Sequence, residues 1–441
     1  MAKITIIGAG SVVFAKRLVS DILRFPALEE TKFALHDIDP VRLQTAEKMV
    51  QTIIRENGNK AAVSASDNRR EALQDANYVI NLIQVGMHES TLIDFEIPKK
   101  YGLKQTIADT LGVGGVFRAL RTIPVVLDMC RDMEDVCPDA LLLNYTNPMA
   151  MLMLAIQKQT SIKSVGLCHS VQHTTAQLAS YLGIPADELD INVAGINHMA
   201  WFLELKHKGK DMYPALFEAM QDEEVYKKDK VRFEMMSRLN YFITESSEHL
   251  SEYTPYFIKD SKLIDKFDIP IDEYIRRSEE NLVTFEETKK KIDNNESFPV
   301  EKSSEYGAPI INAVETGENL EIWGNVLNTK LITNLPENAC VEVPCLVNKR
   351  GIQPTHIGDL PPHLAAMNRT NINVQQLVVE AAVTGNVDYV YQAVMLDPHT
   401  ASVLSLDEIW DMTTELIEAH GERLPKFTTG RNLNRKSQAV L

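Results

Sequence analysis

The chain has 441 residues, 44% of them hydrophobic and 24% charged, with a formal net charge of −16. That length implies two or three domains with ample core and no need of covalent staples. The acidic balance argues against a nucleic-acid or anionic-membrane partner, either of which calls for a basic face, and no apolar run reaches the roughly 18 to 20 residues that span a bilayer. Cys130, Cys137, Cys168, Cys340 and Cys345 are an odd count without small-scaffold spacing. Reduced thiols are the simpler reading, and with no basic-then-apolar leader the expectation is a cytoplasmic protein.

Ile4–Ile7 is a short apolar strand ending in glycine, followed by an amphipathic stretch from Phe14 to Phe25. Lys32–Asp37 is a second strand ending in an acid. The next helix opens at Asp39-Pro40, an acceptor at the cap and a proline at the first helical position. Tyr78–Ile83 is another buried strand, bounded by Gly86. A long helical pattern covers Val116 to Val136, and Ala140–Asn144 and Lys163–Leu167 return as strands. This alternation predicts a doubly wound parallel sheet over residues 1–190. Gly8, Asp37, Gly86, Asn144 and Cys168 all follow strands, which places them at the carboxyl edge where such sheets bind ligands.

From about residue 190 the pattern changes. The apolar stretches Ile191–Ala194 and Met199–Leu205 frame His198, and a charged helical region runs from Tyr213 to about Lys291. Strands are expected at Leu320–Leu327 and Cys340–Val347, and helices at Val374–Thr384 and Asp407–His420. Residues 191–427 read as a mixed α+β domain, and 428–441 as a flexible polar tail.

Gly8-Ala-Gly10-Ser11 lies between strand and helix, the context of a pyrophosphate loop. Gly8 permits the turn, Gly10 lets the backbone approach phosphate, and the helix N-terminus supplies N–H donors. Asp37 is placed to accept from adenosine ribose hydroxyls, which favours NAD over NADP. Its plainer role is to cap the turn ahead of Asp39-Pro40.

Cys168 ends a strand where a nicotinamide ring is expected, and His198 follows Asn197 in a second apolar segment. Each alone reads as a buried core residue. Together, a thiolate and an imidazole can hold a divalent metal with positions left open for substrate oxygens. By affinity order such a site prefers Zn²⁺ to Mn²⁺, so the residues do not name the ion. Asn144–Pro148 offers amides to sugar or ribose hydroxyls, or is simply a strand-to-helix turn. Gln105–Gly115 is glycine-rich with one acid, Asp109, and reads equally as a flexible connector. Glu248–Pro255 groups His249 and Tyr253, or forms a charged helical surface.

At these residues the chain resembles glycoside hydrolase family 4, the NAD- and metal-dependent glycosidases that are exceptions to the two-carboxylate rule. The resemblance runs from Ile6–Ser11 to Asp397–Thr400. The runs Gln105–Gly112, Asn144–Met151, Gly166–Gln172, Gly195–Ala200 and Thr244–His249 are similar to its α-galactosidase branch. It implies a Rossmann-like N-terminal half of the lactate and malate dehydrogenase kind, NAD and Mn²⁺ as cofactors, and a homodimer or homotetramer. The implied reaction is hydrolysis of a melibiose- or raffinose-like α-galactoside through transient C3 oxidation, metal-assisted C2 deprotonation, 1,2-elimination and water addition. Phospho-glycosidase branches carry Asp or Asn after the cysteine and an arginine near position 91. His169 and Thr91 stand there, implying an unphosphorylated sugar. The resemblance assigns Cys168 and His198 to the metal, Asn147 to substrate, Asp109 to support of the base, and His169 to the acid. His249 and Tyr253 both remain open as the base. An α-glucosidase of the same family is the alternative. A 2-hydroxyacid dehydrogenase is a more distant one, because no carboxylate-reading arginine set is found. A non-catalytic nucleotide sensor leaves Cys168 and His198 without work.

Overall fold

A computed structural model describes residues 1–294, 296–297 and 302–428. Six strands pair in parallel: β1 (Lys3–Ile7), β2 (Lys32–His36), β3 (Ala62–Ser66), β4 (Tyr78–Asn81), β5 (Leu141–Asn144) and β6 (Ser164–Leu167). Their spatial order is 3-2-1-4-5-6, that of dinucleotide-binding sheets. Five of the six are the apolar runs expected from the sequence. The strand that was not expected is β3. Its Ala-Val-Ser-Ala-Ser sequence has too little apolar contrast to mark an edge strand, and it lies partly exposed.

The remaining strands are β7 (Leu189–Ile196), β8 (Met199–His207), β9 (Lys210–Asp211), β10 (Leu320–Leu327), β11 (Cys340–Asn348) and β12 (Gly351–Pro354). They continue the same sheet in antiparallel pairing, in the order β6-β10-β11-β7-β8-β9, with β12 on β11. Around residue 190 the strand direction changes while the sheet runs on. Gly166, Asn325, Glu342 and Gly195 form one row across the junction, joining the strand before Cys168 to the strand before His198.

The region from Tyr213 to Lys291 is helical but broken into short pieces, of which Ser247–Tyr253 and the long Glu273–Asp293 matter for the site. The helix expected from Val116 starts earlier, at Gly112. Its glycines let it lie against the preceding loop, since a Cβ on Gly114 would stand 2.6 Å from the Ala108 carbonyl oxygen. Met149–Ile156 is buried on every side, between the sheet and the helix Pro362–Thr384. A smaller second core of Val171, Leu178, Phe202, Phe233 and Phe242 supports the β7–β8 hairpin. Among the described residues no helix is long and apolar enough to cross a membrane. The tail expected to be flexible lies outside the described residues from position 429.

Candidate active site

The loop after β1 runs where the sequence places it. Gly8 takes φ +82° and its N–H donates to the His36 carbonyl at 2.9 Å. The Gly10 N–H donates to Asp37 Oδ2 at 2.8 Å, and Asp37 Oδ1 accepts from Asp39 N at 3.0 Å. Asp37 therefore braces the loop and the next helix together, while Asp39 caps that helix. Gly8, Gly10, Ser11 and Asp37 line a cleft of about 500 Å³. Its opposite wall is the helix Glu273–Asp293, which contributes Tyr274, Ser278, Asn281 and Phe285. The Arg42 guanidinium stacks over Phe285 at 4.2 Å, and His88 Nδ1 meets Ser278 Oγ at 3.0 Å across the cleft.

The second cluster is built from five separate segments of the chain. Cys168 Sγ, His198 and Glu245 present ligand atoms that all lie within 4.8 Å of one another. His198 Nε2 stands 3.7 Å from Glu245 Oε2, and its Nδ1 lies 3.1 Å from the Tyr253 hydroxyl. His249 packs edge-on to His198 at 4.9 Å between ring centroids, with Nδ1 3.4 Å from Glu245 Oε1 and Nε2 3.9 Å from Asp109 Oδ1. The Asn147 amide donates to Asp109 Oδ2 at 3.2 Å. Cys168, His198, Asp109, His249 and Tyr253 are all buried. Asn144, grouped with Asn147 from the sequence, is spent inside the fold: its side chain accepts from Asn81 and donates to the Thr146 carbonyl. Asn147 alone of that pair reaches the cluster.

Two of the three ligand-bearing residues are held in the left-handed region, His198 at φ +60° and Glu245 at φ +75°. A non-glycine residue there costs on the order of 1 kcal/mol, and such strain concentrates at working sites. His198 takes it in the two-residue turn closing β7 and β8, where Ile196 faces Met199. Glu245 is fixed through its carbonyl, which accepts from the buried Arg232 guanidinium, itself ion-paired with Asp229. Backbone conformation of this kind leaves no mark in a single sequence, which is why Glu245 escaped notice there. The one signal available was its place four residues before His249.

Charge sorts the groups. Burial opposes ionisation of Glu245, but His198, His249 and His169 outweigh it and hold its carboxyl at about 2. Asp109 is likewise held below the ordinary range, against burial, by Arg118 and His249. Burial drives the Cys168 thiol up to about 12, with Glu245 and Glu342 adding to the effect. Burial also pushes the Tyr253 hydroxyl well above its usual range, reinforced by Asp109 and Glu252. His249 is lowered by burial despite Glu245. His169, next to Cys168 in the chain, has its Nδ1 3.4 Å from Glu305 Oε1. Burial alone would lower it, yet the Glu305 hydrogen bond and the Glu305 and Glu245 charges raise it to about 9.

The family model described as family 4 glycosyl hydrolase matches residues 3–184, and that for the family's C-terminal domain matches 193–400. The chain belongs to glycosyl hydrolase family 4. It is 51% identical to the α-galactosidase of Bacillus subtilis over 97% of its own length and 100% of that protein's. Its structure is similar to that of a putative glucosidase, LplD, from Bacillus subtilis, with a TM-score of 0.87 at 25% identity, covering 94% of this chain and 99% of the other. It also shares its fold with a 6-phospho-α-glucosidase from gut microorganisms, solved with NAD and Mn²⁺ (TM-score 0.81, 18% identity, covering 97% and 100% of the two chains). The chain is thus a glycoside hydrolase, and the dehydrogenase alternative is set aside.

Proposed function

We propose that this family 4 enzyme is an α-galactosidase for unphosphorylated α-galactosides, working with NAD⁺ and a divalent metal, Mn²⁺ in the first instance. The observation that carries the reading is the Cys168–His198–Glu245 group set beside the buried His249–Asp109 pair. The relative at 51% identity supplies the sugar preference. The donor set fits a metal: a sulfur, a ring nitrogen and a carboxylate converge, and two of them are kept in strained backbone to do so. The cleft fits a dinucleotide, with the N-terminus of the helix Val12–Ile22, a glycine, Gly10, that leaves no room for a Cβ, and Asp37 at its rim.

When bound, the two cofactors supply a hydride acceptor at sugar C3 and a Lewis acid for its oxygen. The chain's own residues then divide the proton work. Cys168, His198 and Glu245 would hold the metal, and the Tyr253 hydroxyl meets the His198 ring at Nδ1. That commitment favours His249 as the base for the C2 proton, with Asp109 stabilising the imidazolium it becomes. Asn147, oriented by Asp109, donates to a sugar hydroxyl. His169, kept protonated by Glu305, hands a proton to the departing glycosidic oxygen.

Incubation with an aryl α-galactoside, NAD⁺, Mn²⁺ and thiol in heavy water tests this scheme. Released aglycone, deuterium at C2 and no stoichiometric NADH are expected. A matched aryl α-glucoside cleaved faster would shift the assignment to an α-glucosidase.

Two further results are expected. A Cβ at Gly10 would stand 2.6 Å from both Asp37 Oδ2 and Arg42 Cβ, so Gly10→Ala should weaken NAD⁺ binding about tenfold or more by calorimetry. Metal binding must expel the proton that the buried Cys168 thiol retains in the metal-free protein. Mn²⁺ affinity should therefore rise about tenfold per pH unit between about pH 6 and 9, because the protonated form is the competitor. A pH-independent affinity would show that the thiol is not a ligand.

A further inference from the structure

Glu252 lies one residue before Tyr253 and three after His249, is 1% exposed, and among the described residues forms no hydrogen bond or ion pair with the groups given a chemical role above. Its carboxylate instead gathers three consecutive backbone N–H groups from the loop that leads to Asp109. Thr106 N donates to Oε2 at 2.9 Å, Ile107 N to the same oxygen at 3.2 Å, and Ala108 N to Oε1 at 2.8 Å. The Thr106 hydroxyl adds a bond of 2.8 Å to the Glu248 carbonyl, so the loop is stitched to the helix Ser247–Tyr253 at two levels. Ala108 is forced to φ +48° just before Asp109. The same loop accepts at its Thr106 carbonyl from Tyr274 N, at 3.0 Å, on the helix that walls the dinucleotide cleft.

Three adjacent peptide N–H groups in a dry interior need an acceptor, and the two oxygens of one carboxylate supply it here; burial pushes the Glu252 carboxyl up to about 7, and the Ala108 and Thr106 N–H bonds pull against that rise. Among the described residues the Ile107 and Ala108 N–H groups have no other acceptor, so the loop conformation that aims Asp109 depends on this one side chain. We infer that Glu252 is a positioning residue for proton transfer, setting the separation of Asp109 from His249 by clamping residues 106–108. This rests on the reading of Asp109 and His249 given above. The amide of Glu252→Gln keeps the shape but offers one accepting oxygen and turns an N–H₂ toward peptide N–H groups. The loop must then shift, and Asp109 with it.

The test is a double-mutant cycle in the full-length enzyme with NAD⁺ and Mn²⁺. Displacing a catalytic group by about an ångström costs about 100-fold in rate. Glu252→Gln is expected to lower kcat by about that factor, to leave KM within about threefold, and to leave NAD⁺ affinity unchanged. Its C2-deuterium isotope effect should rise as proton removal becomes rate-limiting. In an Asp109→Asn background the same change should cost less than about threefold, because there is no longer a carboxylate to misplace. A full loss in both backgrounds, or a kcat within twofold of wild type, would overturn the inference. So would loss of NAD⁺ binding together with the near-ultraviolet dichroism, which would mark Glu252 as a residue of the fold alone. Should Asp109→Asn by itself retain full activity, the reading of Asp109 fails instead, and the two failures are told apart.

Discussion

Cys168→Ser is expected to lower turnover roughly 1,000-fold at saturating NAD⁺ and Mn²⁺ while leaving NAD⁺ binding nearly unchanged. The size follows from the several kcal/mol that a Lewis acid contributes to a developing negative charge, at about 1.4 kcal/mol per tenfold in rate. A serine hydroxyl is not deprotonated by such a metal as a thiol is, so the set loses its soft anionic member. The dinucleotide cleft is built on other segments, from Gly8 to Asp37 and from Tyr274 to Phe285, and does not depend on the sulfur. Glu245→Gln should fall in the same direction, since it removes the only carboxylate in the group. Metal affinity by calorimetry and rate with an aryl α-galactoside are the two readouts. Wild-type turnover in Cys168→Ser would sink the metal assignment. Peroxide should inactivate the metal-loaded wild-type enzyme, because a ligand thiolate is oxidisable.

His249→Asn and Tyr253→Phe should part company, and this is the second large effect. Removing a general base costs roughly 100- to 10,000-fold, so His249→Asn should lose that much in kcat together with deuterium incorporation at C2. Tyr253→Phe removes only the hydroxyl that holds His198 through Nδ1. A partner behind a metal ligand contributes about 10- to 100-fold in metal affinity. That variant should therefore need more Mn²⁺ but recover most of kcat once saturated. The reverse pattern, with His249→Asn active and Tyr253→Phe dead at every metal concentration, would make Tyr253 the base. Tyr253 starts from a hydroxyl pushed well above its ordinary range by burial, which a base at neutral pH would have to overcome.

Much of this arrangement is written locally. The β1 loop, Asp37 and the helix opening at Asp39-Pro40 are legible because turn, cap and strand signals act over a few residues. Strands β4, β5 and β6 announce themselves as apolar runs for the same reason. Cys168 and His198 stand out by chemical type, each at the end of an apolar stretch. Other features were not legible. The second half reads as a separate α+β unit, yet its strands extend the first sheet, because antiparallel pairing of β10 on β6 depends on contacts across more than 150 residues. The loop Gln105–Gly115 reads equally as a flexible connector, and is in fact buried against Glu252.

By itself the sequence determined the elements whose causes are local: the alternation of the parallel strands, the phosphate loop, and which soft and basic side chains were available. Tertiary structure alone decided which of those side chains meet. Glu245 joins Cys168 and His198 because Arg232 and a left-handed backbone turn its carboxylate inward. Asn144 is withdrawn into the fold while Asn147 reaches Asp109. Convergence of this kind comes from burial and long-range hydrogen bonding, which act through space between residues that lie far apart along the chain.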